Sequence, residues 1–137
     1  MFVCLAELEN TLILYFMSLS NVFKLSAIIL LINGTMSLFA TDMFLGMAGF
    51  EMTPDMHTFG EFVGVTFLAM GIIAWKTNDL AGESLASFGR VYALVQMMWV
   101  AIIGYHVATG VAEGATAVGN LATCAILAVL FYVTSRK

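Results

Sequence analysis

GEFVGVTFLAMGIIAWK, residues 60–76, is the stretch that decides the fold. From Phe62 to Trp75 no side chain carries a charge, and the run closes on a Trp-Lys pair. A bilayer core about 30 Å thick is crossed by about 20 apolar residues in a helix. Trp followed by Lys is the kind of pair that anchors such a helix at the interface. Upstream, Thr53-Pro54-Asp55 reads as a helix start, with Thr53 as cap and Pro54 in the first turn. The span therefore covers about Met56 to Trp75.

Working outward, three more runs of the same kind appear: about Val22 to Ala40, interrupted only by Asn33-Gly34; from near Phe88 to Thr109-Gly110; and about Ala115 to Thr134. Between them lie a Met- and Phe-rich loop over 42–56, a short polar loop Thr77–Ser87 with Asn78-Asp79 and Gly82, and a turn Gly110–Gly114. The 42–56 loop carries too many large apolar side chains for a free surface loop, so it lies in the interface or folds back onto the helices. Short connections favour an antiparallel arrangement. The sequence thus predicts an all-α, integral membrane, antiparallel four-helix bundle over residues 21–137.

Charge sets its orientation. Lys24 lies at the start of the first run, Lys76 follows the second, Arg90 opens the third, and Arg136-Lys137 closes the fourth. Threaded up and down, the runs bring every basic residue to one side, while Asp42, Glu51, Asp55, Glu61 and Glu113 fall on the other. Excess Lys and Arg marks cytoplasmic loops, so the expectation is a multi-pass protein of the bacterial inner membrane with both termini cytoplasmic.

Composition agrees: of 137 residues 61% are hydrophobic and 10% charged, with mean hydropathy +0.98, where soluble domains are roughly half apolar. A net charge of −4 argues against nucleic acid, whose binding rests on Lys and Arg. The expected partners are the lipid bilayer and a membrane protein or a second copy of the chain. Cys4 and Cys124 have no metal or redox spacing, and their depths argue against a disulfide. Residues 1–20 stand apart. Phe2, Leu5, Leu8, Leu12, Tyr15 and Phe16 form an apolar stripe without a basic leader, so this segment reads as an interfacial helix or as an over-extended start, with Met17 the natural one.

One constellation could carry chemistry. His57 and Glu61 are one helical turn, about 6 Å, apart on one face. His106 lies roughly 24 Å along the third helix from Arg90 at 1.5 Å per residue, which brings the two histidines to similar depth. Tyr92, Gln96, Trp99, Ile103 and His106 follow one face of that helix. If the face is interior, it walls an amphipathic pocket. Ionisable groups in spans face interiors or cavities, so the candidate ligand contacts are His57, Glu61, Tyr92, Gln96, Trp99 and His106. His57, Glu61 and His106 are candidate metal ligands, although no HExxH or ExxH spacing is present. The cofactor is unknown; a proton relay or haem or pigment ligation by an imidazole are the other chemistries open to the group. The competing reading is that the histidines and Glu61 are interfacial polar residues, with Gln96 bonded across to Asn33 or Asn120. No nucleophile with a paired base, Gly-rich phosphate loop or CxxC is present, which weighs against an enzyme and against ATP, NAD or flavin.

The Gly-rich second helix (Gly60–Trp75) and the FGRVYALVQ opening of the third (Phe88–Gln96) resemble the DoxX-like group of small bacterial membrane proteins, within it the DUF4345 type. The resemblance covers Val22 to the C-terminus and implies a four-helix membrane bundle. It also implies a link to quinone or thiol redox chemistry for some members, although this chain has no cysteine pair for the thiol version. The expectation is an accessory or ligand-binding bundle with a polar His/Glu cluster near the outer face. The alternatives are a structural subunit of a larger membrane complex and a redox or pigment-binding protein.

Overall fold

The computed structural model describes residues 18–136, all-helical apart from short connections. The expectations for the N-terminal stripe and start site fall on residues 1–17, outside the described residues. The long helices are α1 (Leu19–Phe39), α3 (Pro54–Leu80), α4 (Leu85–Ala108) and α5 (Ala115–Thr134), with a short α2 (Thr41–Gly46) after α1. All four long helices are long and apolar enough to cross a membrane. The chain is an all-α four-helix bundle and, by the length and composition of those helices, a multi-pass membrane protein.

Several boundaries differ from the sequence reading, each for a local reason. Helix α1 starts at Leu19 because the Ser18 hydroxyl accepts from Asn21 N at 3.2 Å, a Ser N-cap that precedes the apolar run. Lys24 therefore sits inside the helix. Helix α3 starts as predicted, with the Thr53 hydroxyl accepting from Met56 N at 3.2 Å and Pro54 in the first turn. It runs on past Lys76, since Thr77 Oγ1 donates to Ile73 O and Ala81 N to Thr77 O. Asn78-Asp79 is thus helical, and the expected loop 77–87 shrinks to one 3₁₀ turn, Gly82–Ser84. Part of the expected 42–56 loop is helix α2. It folds back, with Thr41 and Phe44 buried while Met43 and Met47 stay exposed.

The bundle is built from two helix pairs. Helices α1 and α3 pack along most of their length, as do α4 and α5, whereas α3 and α4 touch little. Gly34 meets Gly64, Ser37 meets Gly60 and Ala27 meets Gly71, so sequence numbers run oppositely and the pair is antiparallel. A Cβ on Gly34 would lie 2.8 Å from Leu68 N, and one on Gly64 2.8 Å from Leu38 N. The two backbones touch because nothing larger than hydrogen separates them, the route by which helices associate where lipid gives no hydrophobic drive. Ser37 Oγ, fully buried, donates to Gly60 O at 2.7 Å across the same crossing.

At the end carrying Lys24, Lys76, Arg90 and Arg136 (the basic end), Phe23, Tyr92 and Phe131 form a triangle. Their ring centroids are 4.8, 4.9 and 5.4 Å apart, and Phe23 and Phe131 are fully buried. Edge-to-face and tilted rings at such distances are the favoured aromatic geometry. This cluster ties α1, α4 and α5 together and plugs the basic end.

Candidate functional site: a roofed cavity between the helix pairs

Beyond the aromatic plug the two pairs diverge and leave a cavity of about 220 Å³. Each long helix gives it one face. Helix α3 contributes Phe59, Val63, Phe67 and Met70, a run with helical spacing. Helix α4 contributes Gln96, Trp99, Ile103 and His106, four of the five positions of the predicted stripe. Polar groups from α1 and α5 complete the wall, Asn33 and Asn120, with Thr116, Thr123 and the free thiol of Cys124 also on α5. None of the lining side chains is Asp, Glu, Lys or Arg.

The acidic end of the cavity is closed by backbone. Phe44, Leu45, Ala48 and Phe50 from the first connection and Ala112 from the second form its roof. These connections dock directly: Thr116 N donates to Met47 O at 3.3 Å, and a Cβ on Gly49 or Gly114 would lie 2.7 Å from Glu113 O or 2.5 Å from Met47 O. Both glycines also have positive φ, +89° and +109°, where glycine is the least strained residue. Ala48, Ala112 and Ala117 make a small buried core beneath the contact. The Met- and Phe-rich segment is therefore a roof.

Among the polar wall residues the hydrogen bonding is incomplete. Asn33 Nδ2 donates to Asn120 Oδ1 at 3.2 Å, joining α1 to α5. Gln96 bonds to neither asparagine; it is only 4% exposed and makes no hydrogen bond to another described residue. His106 Nδ1, on the same wall, is fully buried and has no partner. Most buried polar side chains are hydrogen-bonded, and an exception calls for an explanation.

The predicted site residues divide into three places. Gln96, Trp99 and His106 come together on the cavity wall. Tyr92, from the same stripe, belongs to the aromatic plug. His57 and Glu61 do not line the cavity. They sit two residues from Phe59 and Val63, which turns them by about 200° at 3.6 residues per turn. There His57 lies at the acidic end with Nε2 3.8 Å from Asp42 and Nδ1 3.7 Å from Glu61, its side chain 46% exposed. The trio His57, Glu61 and His106 is thus not assembled, and among the described residues no group of three His, Cys, Asp or Glu side chains is placed to hold a metal ion. The contribution of Phe59, Phe67 and Met70 was missed by reading polar residues alone; their spacing of 59, 63, 67 and 70 is the signal that reveals it.

The chain matches no family model, no curated protein and no solved structure.

Proposed function

We propose that this chain is a ligand-binding bundle of the bacterial inner membrane, with its basic end and both termini cytoplasmic, and that the cavity between its helix pairs is the binding site. The observation that carries the reading is Gln96, nearly sealed from solvent, on the cavity wall, and without a hydrogen-bond partner among the described residues. Its amide faces the cavity space, whose wall also carries His106 Nδ1, fully buried without a partner. An unpaired buried polar atom costs about 1–3 kcal/mol, a cost that a bound polar group removes. Small-molecule sites have this character, mostly apolar walls with a few converging polar groups. The volume is below the roughly 300–1,000 Å³ of drug-sized pockets, which favours a small molecule over a porphyrin or other pigment. The DoxX-like likeness is kept as part of this proposal on the Gly60–Trp75 and Phe88–Gln96 patterns.

The rival, a structural subunit of a larger complex, loses one of its contact surfaces, because Gly60 and Gly64 face α1 and the start of α2 inside the chain, and keeps the open face at Gly119 and the exposed Met43 and Met47. The test is purification of the full chain from membranes in mild detergent, followed by native mass spectrometry. The expected result is a small-molecule adduct on the wild type that Gln96→Leu loses while its helical circular dichroism is unchanged. An unliganded mass for both proteins, with identical melting curves, would overturn the reading.

A further inference from the structure

Resting on that reading of the cavity, we infer that its ligand is an uncharged amphiphile dissolved in the bilayer, with a donor and an acceptor side by side in its head group as in a primary carboxamide, and that it arrives sideways through the α3–α4 seam. Three observations define the ligand. The wall holds no Asp, Glu, Lys or Arg, and an ionised group taken from water into such a space without a counter-charge is strongly disfavoured. Two wall side chains are open to a ligand, the His106 imidazole with its unpartnered Nδ1 and the Gln96 carboxamide. The carboxamide presents two N–H donors and a carbonyl acceptor together; the head that satisfies both of its sides offers an acceptor next to a donor. The space, about 220 Å³, equals about seven water volumes at roughly 30 Å³ each, enough for that head and a short apolar body.

The route follows from which walls are closed. The acidic end is roofed by connections in backbone contact, with Thr116 N bonded to Met47 O. The basic end is plugged by Phe23, Tyr92 and Phe131. The α1–α3 and α4–α5 pairs are closely packed; of the seams between the pairs, α1–α5 is tied by the Asn33–Asn120 bond and the Phe23–Phe131 ring contact, whereas α3 and α4 touch less. On that seam Phe59 both lines the cavity and is 61% exposed, so its ring is shared between the interior and the lipid side. Further along, Phe67 and Trp99 meet with ring centroids 5.8 Å apart and planes inclined by 57°. Two aromatic side chains that turn by rotamer changes can open a passage there without disturbing either helix pair.

Cys124 lines the cavity and serves as a reporter in the full chain carrying Cys4→Ser, reconstituted in phosphatidylcholine vesicles. The neutral, lipid-soluble reagent N-hexylmaleimide should label Cys124, and a quaternary-ammonium methanethiosulfonate added to the water should label it at least about tenfold more slowly. Phe67→Ala should speed labelling by the maleimide. Octanamide should protect the thiol better than octanoate, octylamine or octane, and Gln96→Leu and Gln96→Met should each weaken that protection by about tenfold or more, the ratio for one or two lost hydrogen bonds. Equal labelling by the charged reagent would overturn the lateral route. Protection by octanoate or octylamine as good as that by octanamide would overturn the neutral carboxamide class. Either result leaves the binding reading standing, provided the adduct on the purified protein still depends on Gln96; loss of that adduct difference sinks the site itself.

Discussion

Helix α3 has two working faces, and they are built by opposite rules. Toward α1 it presents Gly60, Gly64, Gly71 and Ala74, all buried. The facing backbone comes so close that a methyl group on Gly64 would sit 2.8 Å from Leu38 N. Toward α4 it presents Phe59, Val63, Phe67 and Met70, and there the helices touch little and the cavity opens. In water large apolar side chains would hold a seam shut by burial. In lipid they gain little by leaving the acyl chains, so tightness follows from how closely backbones approach. Small residues thus make the tight joint, large ones line the cavity, and a single helix uses one face for each.

The strongest way to break this contrast is to put bulk where the backbones touch. Gly64→Leu should push α1 from α3 and cost about 3 kcal/mol or more, at the upper end of overpacking effects. Gly119→Leu should be neutral to stabilising by up to about 1 kcal/mol, because nothing lies within 4 Å of a Cβ there and leucine is favoured over glycine in a helix. Unfolding of both proteins by SDS in mixed micelles reads the difference directly. Equal losses at the two positions would mean that glycine matters for helix flexibility and not for contact.

The four apolar helices and the start of α3 were legible because hydropathy and the Thr53-Pro54 signal are local; the end of α3 was not, since the helix runs past Trp75-Lys76 to Leu80. The interior stripe of α4 was legible too, since Gln96, Trp99 and His106 recur at helical spacing. The cavity itself was not legible. Its existence depends on α3 pairing with α1 and not with α4, and the glycines that decide this look alike in sequence whether they meet a neighbour, as Gly64 does, or open space, as Gly119 does. Depth was read well enough to put His57 and His106 toward one end, but depth carries no azimuth. The rotation that faces Phe59 inward faces His57 and Glu61 elsewhere, and only the neighbours of α3 fix it. The Asn33–Asn120 bond is a related case: the competing reading offers one or the other as the partner of Gln96, yet the weak α1–α5 contact brings them to each other.

A smaller effect of opposite sign sharpens the same contrast. If the α3–α4 side is a site and not a joint, its polar group is there at the expense of stability. Gln96→Leu should then raise the stability of the ligand-free bundle by up to about 1 kcal/mol, by replacing an amide without a partner among the described residues with an apolar side chain on an apolar wall. The corresponding polar-to-apolar change at Ser37, Ser37→Ala, should lower it by about 0.6 kcal/mol, the average for a hydrogen bond between helices in lipid, since Ser37 Oγ is bonded to Gly60 O. Opposite signs in one SDS titration separate a polar group held for binding from one held for packing. A loss at both positions would make Gln96 a structural residue.

The smallest expected effect belongs to the pair that the sequence singled out first. His57 lies 3.8 Å from Asp42 and 3.7 Å from Glu61 with roughly half its side chain open. At those distances and that exposure an ion pair is worth about 0–1 kcal/mol and is screened by salt. His57→Ala should therefore change stability by less than about 0.5 kcal/mol, and raising the salt should erase what difference there is. Because His57 points away from the cavity wall, the same variant should leave octanamide protection of Cys124 unchanged, whereas His106→Ala, on the wall, should alter it. A loss of protection on removing His57 would place the ligand across the α3 surface that carries Asp42 and Glu61, and the division between a sealed face and a receptive face of that helix would have to be redrawn.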